Sequence, residues 1–301
     1  MRSAIALMVV GVLAITACGG DGAATADRDR PKVIAGFYPL AEAARRIGGD
    51  RITVTNLTAA GSEPHDLELT PEDVDEIEEA TVVLYFGKGF QPAVAKAASR
   101  AEGRAIDVLN AESGLIQDNE NEGGEKGTDP HVWLDPTLMK RIVEQVRDTL
   151  ATVDPANRAG YEASAANYAS ELDALDAAYE QGLSQCVRKV IVTSHAAFGY
   201  LARRYGLIQD SIAGLDPESE PDPRRLAALA DKVKAEGVTT IFSESLVSPK
   251  VADTLAREAG TRTAVLNPIE GLSEDEQRKG ETYVSIMRRN LEVLRRALGC
   301  Q

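Results

Sequence analysis

The chain has 301 residues, with 47 acidic against 33 basic side chains and a formal net charge of −14. A surface that negative repels phosphate backbones, which argues against a nucleic-acid partner. The length suffices for one large or two medium domains with proper cores.

The first segment reads as an export signal. Arg2 gives a short basic start, and residues 4–16 form an apolar run too short to span a bilayer as a helix. The run ends in Ile15-Thr16-Ala17-Cys18, followed by Gly19-Gly20. Small residues ahead of a cysteine at that point look like a lipobox. Residues 1–17 are then a lipoprotein signal peptide, and Cys18 carries the lipid. An ordinary secretory signal with an incidental cysteine is the alternative, and either one exports the mature chain. Residues 18–31 are small, polar and charged, and read as a flexible tether. No later stretch is long and apolar enough to span a bilayer. The body is therefore expected to be anchored to the outer face of the cell membrane by its N-terminal lipid, or to be periplasmic. With Cys18 lipidated, Cys186 and Cys300 are left as one pair in an oxidising compartment, where a disulfide would pin the terminal helix. Two metal thiolates are the competing reading, weakened because neither cysteine lies near a histidine.

From residue 32 onward, strands alternate with helices. A strand over 32–37 leads through Tyr38-Pro39-Leu40 into a helix that reaches Ile47 and stops at Gly48-Gly49-Asp50, and 52–57 form a second strand. The loop 58–63 leads to His65. Thr70 is a good N-cap with Pro71 in the first helical position, opening a helix over 72–80. A strand over 82–86, a helix over 92–102 and a strand over 105–108 follow. Residues 117–127 are almost without apolar side chains and read as a mobile acidic loop running into Asp129-Pro130-His131. Asp135-Pro136 opens a helix to Leu150. Asp154-Pro155 opens a long one over 156–183, roughly 40 Å at 1.5 Å per residue, which reads as a rigid rod. The pattern then restarts. Strands over 189–194, 207–212, 238–244 and 263–266 alternate with helices over 198–205, 223–236 and 248–258, and a helix over 282–298 closes the chain. The fold class is α/β: two βα lobes with mainly parallel sheets, over 32–152 and 186–301, joined by one long linking helix over 153–185.

The chemistry concentrates on the three histidines of the chain. They lie in Ser62-Glu63-Pro64-His65-Asp66, Asp129-Pro130-His131-Val132-Trp133 and Thr193-Ser194-His195-Ala196-Ala197-Phe198. All three fall in turn-like or strand-end segments. Neutral imidazole is the commonest ligand for zinc, and three imidazoles with one carboxylate complete a tetrahedral site. Open parallel sheets bind ligands beyond the carboxyl ends of their strands, so a site using His65, His131 and His195 belongs in the cleft between the lobes. A fourth ligand is then expected from a strand end of the second lobe. Glu244, Asn267 and Glu270 are the candidates, with the amide of Asn267 disfavoured beside a carboxylate. Glu244 is alternatively an acceptor that orients an imidazole N–H. A three-histidine site with an open corner would activate water, as in zinc hydrolases, but no Ser-His-Asp or HExxH pattern is present. The first βα turn, Gly36-Phe37-Tyr38-Pro39, lacks the dinucleotide-binding glycines.

Ser-Glu-Pro-His65, Asp-Pro-His131-Val-Trp-Leu-Asp, Thr-Ser-His195-Ala-Ala-Phe-Gly-Tyr and Leu-Asn-Pro-Ile-Glu270-Gly-Leu together resemble the metal-binding solute receptors of bacterial ABC importers. With the lipobox, the rod and the terminal helix, the resemblance covers essentially the whole chain. It implies a metal held between two lobes by His65, His131, His195 and a carboxylate of the last strand-end loop, here Glu270, and an ABC permease as partner of a monomeric receptor that is not an enzyme. Many relatives have Asp where this chain has Asn267. Manganese receptors of the family usually use two histidines and two carboxylates, so three imidazoles favour Zn2+ over Mn2+. A manganese receptor and an adhesin are the alternative readings. Zinc receptors with a histidine-rich loop before the second ligand differ from this chain, whose 117–127 loop holds no histidine.

Overall fold

A computed structural model describes residues 30–101, 103–118, 127–219 and 221–301. The signal peptide, Cys18 and nearly all of the tether lie outside the described residues, as do residues 119–126 of the acidic loop.

The first half runs β1 (Lys32–Ala35), α1 (Tyr38–Gly48), β2 (Thr53–Asn56), α2 (Pro71–Glu79), β3 (Val82–Tyr85), α3 (Pro92–Ala98) and β4 (Ala105–Asp107). Its four strands form one parallel sheet in the order β2-β1-β3-β4. A parallel neighbour needs a crossover of a dozen residues or more, and the helices supply it. At the ends of the acidic loop, β5 (Gln117–Asp118) and β6 (Gly127–Thr128) pair antiparallel. Then come α4 (Pro136–Val153), a 3-10 turn at Pro155–Asn157 and the long α5 (Arg158–Leu183). The second half repeats the plan with β7 (Val190–Thr193), α6 (Gly199–Tyr205), β8 (Ile208–Ser211), α7 (Pro223–Ala235), β9 (Thr240–Ser243), α8 (Lys250–Ala259) and β10 (Arg262–Val265). Its sheet is also parallel, in the order β10-β9-β7-β8. The chain ends with α9 (Glu274–Arg278) and α10 (Tyr283–Leu298).

Element starts follow local chemistry. Thr70 Oγ1 accepts from Asp73 N–H at 3.2 Å while the Asp73 carboxylate accepts from Thr70 N–H, a capping box ahead of Pro71. Asp135 caps α4 one-sidedly, its Oδ1 accepting from Thr137 N–H at 2.8 Å.

Side-chain alternation along the strands sorts the core into layers. In β1 and β3, Val33, Ala35, Val82 and Leu84 face one way, and Ile34 and Val83 face α2 and α3. In the second sheet, Ile191 and Phe242 join the same large cluster as Val33, while Val192 and Ile241 pack with α7 and α8. That shared cluster is lined along α5 by Tyr161, Ala165, Tyr168, Leu172, Leu175, Tyr179 and Leu183, all buried. The long helix, 26 residues or about 39 Å, is thus a spine packed along one face and not a bare rod. Cys186 and Cys300 are disulfide-bonded, at a sequence separation of 114. Closing a loop of that length is worth roughly 4–5 kcal/mol in the chain-entropy account. Among the described residues, no helix is long and apolar enough to cross a membrane.

Candidate metal centre

The parallel strands bring their carboxyl ends to the chemistry. β2 ends at Asn56 and leads to the loop of His65, β7 ends at Thr193 just before His195, β9 ends at Ser243 just before Glu244, and β10 leads to the turn holding Glu270. His131 follows β6 and opens a 3-10 turn at Val132–Leu134. One donor atom each from His65, His131, His195 and Glu270 lies within 4.8 Å of all the others. Glu270 Oε1 is the meeting point: it lies 3.0 Å from His131 Nε2, 3.1 Å from His195 Nε2 and 3.4 Å from His65 Nε2. The Nε2 atoms of His131 and His195 are 3.3 Å apart. Tetrahedral zinc with bonds of 2.0–2.1 Å sets neighbouring donors about 3.3 Å apart. Four edges of the cluster therefore already match a coordination tetrahedron.

Two carboxylates behind the rings decide which nitrogen faces the centre. His131 Nδ1 and its backbone N–H both donate to Asp129 Oδ1, at 2.8 and 2.9 Å. His195 repeats the clamp: Nδ1 donates to Glu244 Oε2 at 2.7 Å and the backbone N–H to Glu244 Oε1 at 3.0 Å. A neutral ring that keeps its proton on Nδ1 turns the Nε2 lone pair toward the centre, the arrangement that metal-bound histidines use. Glu244 therefore serves as the orienting acceptor and not as a donor atom of the cluster. Asp129 was not singled out by sequence reasoning, although a short carboxylate two residues before a histidine is the spacing of an Asx turn and pointed to it.

Electrostatics follow from burial. His131 and His195 are fully buried, which by itself pushes imidazole pKa down, but Asp129 and Glu270 around the first and Glu244 and Glu270 around the second outweigh it. Both rings titrate above the ordinary imidazole value, His195 well above. For His65 burial wins over Glu270, and its pKa is lowered. Burial also acts to raise Glu270, yet His195 and the ring hydrogen bonds hold its carboxyl well below the usual range. Glu63, whose Oε1 accepts from His65 N–H, is pushed up to about 8 by burial and then by the charge of Glu270. Oε2 of Glu63 and Oε2 of Glu270 are both buried without a hydrogen-bond partner among the described residues. The unpartnered Glu270 carboxylate oxygen beside three imidazole Nε2 atoms fits a divalent cation.

Asn267 takes no corner of the cluster. Its Oδ1 accepts from Ile269 N–H at 2.7 Å and its Nδ2 donates to Glu276 Oε1 at 3.0 Å. Between it and Glu270, Ile269 holds φ at +58°, a left-handed conformation that costs a β-branched residue roughly 1–3 kcal/mol. The turn is tied to the first half by Trp133 Nε1, which donates to Pro268 O at 2.8 Å. Phe37, Phe90 and Trp133 pack edge-on or tilted, with ring centroids 4.8–5.6 Å apart, and Phe90 meets the His65 ring edge-to-face at 4.6 Å. The centre thus rests on an apolar aromatic floor.

Comparison with known proteins gives a consistent family. The family model described as "Zinc-uptake complex component A periplasmic" matches residues 33–297. The "High-affinity zinc uptake system protein ZnuA" of Bacillus subtilis is 38% identical over 301 residues, covering 95% of this chain and 94% of that protein. The "Zinc-binding lipoprotein AdcA" of Streptococcus pneumoniae is 37% identical over 274 residues; the match takes in 87% of this chain but spans only about half of that protein, 55%. The crystal structure of the Zn(II)-bound ZnuA-like domain of the same pneumococcal AdcA superposes with a TM-score of 0.77 at 38% identity, covering 89% of this chain and 99% of the domain.

Proposed function

The chain belongs to the family described as "Zinc-uptake complex component A periplasmic", and on that premise we propose that it is an extracytoplasmic receptor that captures Zn2+ and delivers it to the permease of an ABC importer. The observation that carries the reading is the convergence of three imidazole Nε2 atoms on one carboxylate oxygen at tetrahedral spacing. His65, His131, His195 and Glu270 are the ligands in this reading, and Zn2+ is the cargo. Three imidazoles and one carboxylate make a borderline-soft set that suits zinc better than manganese, which favours more oxygen donors. Glu270 fills the corner that a hydrolytic zinc site leaves open for water, which supports a carrier and not an enzyme. The mature chain is anchored outside the cell membrane through lipidated Cys18 and a tether over 18–31, after removal of residues 1–17. It acts as a monomer, organised as a lobe over 32–152, a linking helix over 153–185 and a lobe over 186–301.

Capture of Zn2+ must be coupled to protons, and this tests the reading. A ligand ring has to present a lone pair, so any proton on Nε2 must leave when the metal arrives. His131 and His195 titrate above the usual 6.5 in the metal-free protein. They are therefore partly protonated where free histidine is already neutral, and zinc displaces those protons near neutral pH. Calorimetric titration with Zn2+ in two buffers of different ionisation heat should give one ion per chain, net proton release at pH 7, and an affinity still rising from pH 6.5 to 8. An affinity flat over that interval, or no proton release, would contradict the assignment of these two rings.

A further inference from the structure

We propose that Asn290, acting through Asn267, is a positioning residue that holds Glu270 at the metal centre; the inference rests on Glu270 being a ligand. Asn290 is a buried amide on an otherwise apolar face of α10, among Ile286, Met287 and Leu294. A polar side chain in that setting has to find both of its partners inside the protein. It finds them on one residue: Asn290 Oδ1 accepts from Asn267 N–H at 3.0 Å, and Asn290 Nδ2 donates to Asn267 O at 2.7 Å. Both backbone groups of Asn267 are thereby fixed by a single side chain of the last helix.

Asn267 passes the constraint forward. Its own side chain accepts from Ile269 N–H, closing the turn that keeps Ile269 at φ +58°. A buried β-branched residue does not hold that conformation unless its surroundings over-determine it. Relaxing Ile269 to negative φ would swing the next side chain, that of Glu270, away from the three histidines. The far end is braced as well. Asn267 Nδ2 donates to Glu276, which caps α9 through Ser273 and also accepts at 2.6 Å from Nη2 of Arg289, the residue next to Asn290 on α10. The strained peptide is thus held by hydrogen bonds from α9 and α10, none of which touches the metal donors.

A double-mutant cycle with Zn2+ as the probe tests this. Asn290→Ala is expected to weaken zinc binding about 10- to 100-fold, the range for groups that orient a ligand. In the Glu270→Ala background the same substitution should cost less than twofold, because its target is gone. The Co2+ visible spectrum of Asn290→Ala should shift toward that of Glu270→Ala. Losses that add in the double variant, or a Co2+ spectrum unchanged from the parent, would overturn the proposal. Glu270→Ala with undiminished zinc affinity would instead sink the ligand assignment beneath it, a separate result. Should Asn290→Ala fail to fold, Asn290→Leu keeps the side chain's size and branching and removes both hydrogen bonds to Asn267. Its loss should be similar and should likewise vanish without Glu270; persistence there overturns the idea.

Discussion

Alanine at His131 or His195 is expected to lower zinc affinity by roughly 100- to 1000-fold. Structural Zn2+ binding is worth about 10–16 kcal/mol in small zinc domains, so one of four ligands carries roughly 2.5–4 kcal/mol, and each 1.4 kcal/mol is tenfold. These two rings are fully buried and each is clamped by a carboxylate. Their removal also leaves Asp129 or Glu244 buried without its main partner, a cost to the fold of the order of 1–3 kcal/mol. Two readouts follow. Competition against a chromophoric chelator should give the affinity loss, and the zinc-induced rise in Tm should shrink, because that rise scales with the logarithm of ligand concentration over Kd. Parent-like affinity in either variant would remove that residue from the site.

Glu270→Ala is expected to cost a similar factor, and more than alanine at Glu244 or Asn267. Three neutral imidazoles leave the ion with its full charge of +2, which a carboxylate offsets and an amide does not. Glu270 Oε1 stands within 3.4 Å of all three rings, whereas the Glu244 side chain bonds only to His195, on the far side of its ring, and the Asn267 side chain only to its own turn and Glu276. Glu244→Ala loosens one ring, for about 10- to 100-fold. Asn267→Ala acts only by way of Glu270 and cannot exceed it. A zinc titration in which Glu244→Ala or Asn267→Ala costs more than Glu270→Ala would reverse the assignment.

Much of this was legible in the chain itself. The βα alternation was readable because buried strands such as Val190-Ile191-Val192 stand between helices with marked caps, Thr70-Pro71 and Asp135-Pro136 among them. The three histidines were readable because each sits in a turn-like or strand-end segment, where parallel sheets place ligands. What escaped depends on contacts between distant segments. The Asn290 clamp joins residues 23 apart, and its only sequence trace is one amide on the apolar face of the last helix. The left-handed Ile269 has no trace, since nothing about isoleucine favours positive φ. The helix α9 lacks an apolar stripe, although Ser273 and Glu276 carry the capping-box spacing that marked its start. The two-residue strands β5 and β6 are too short for any periodicity.

The central claim is that this centre selects and holds zinc. Metal content of the mature protein, expressed and purified without added metal and then equilibrated with equimolar Zn2+ and a hundredfold excess of Mn2+, tests it most directly. Elemental analysis is expected to find one zinc per chain and no bound manganese, with zinc lost when His65, His131 and His195 are all replaced by alanine. Manganese at one per chain, or zinc undiminished in the triple variant, would contradict the account.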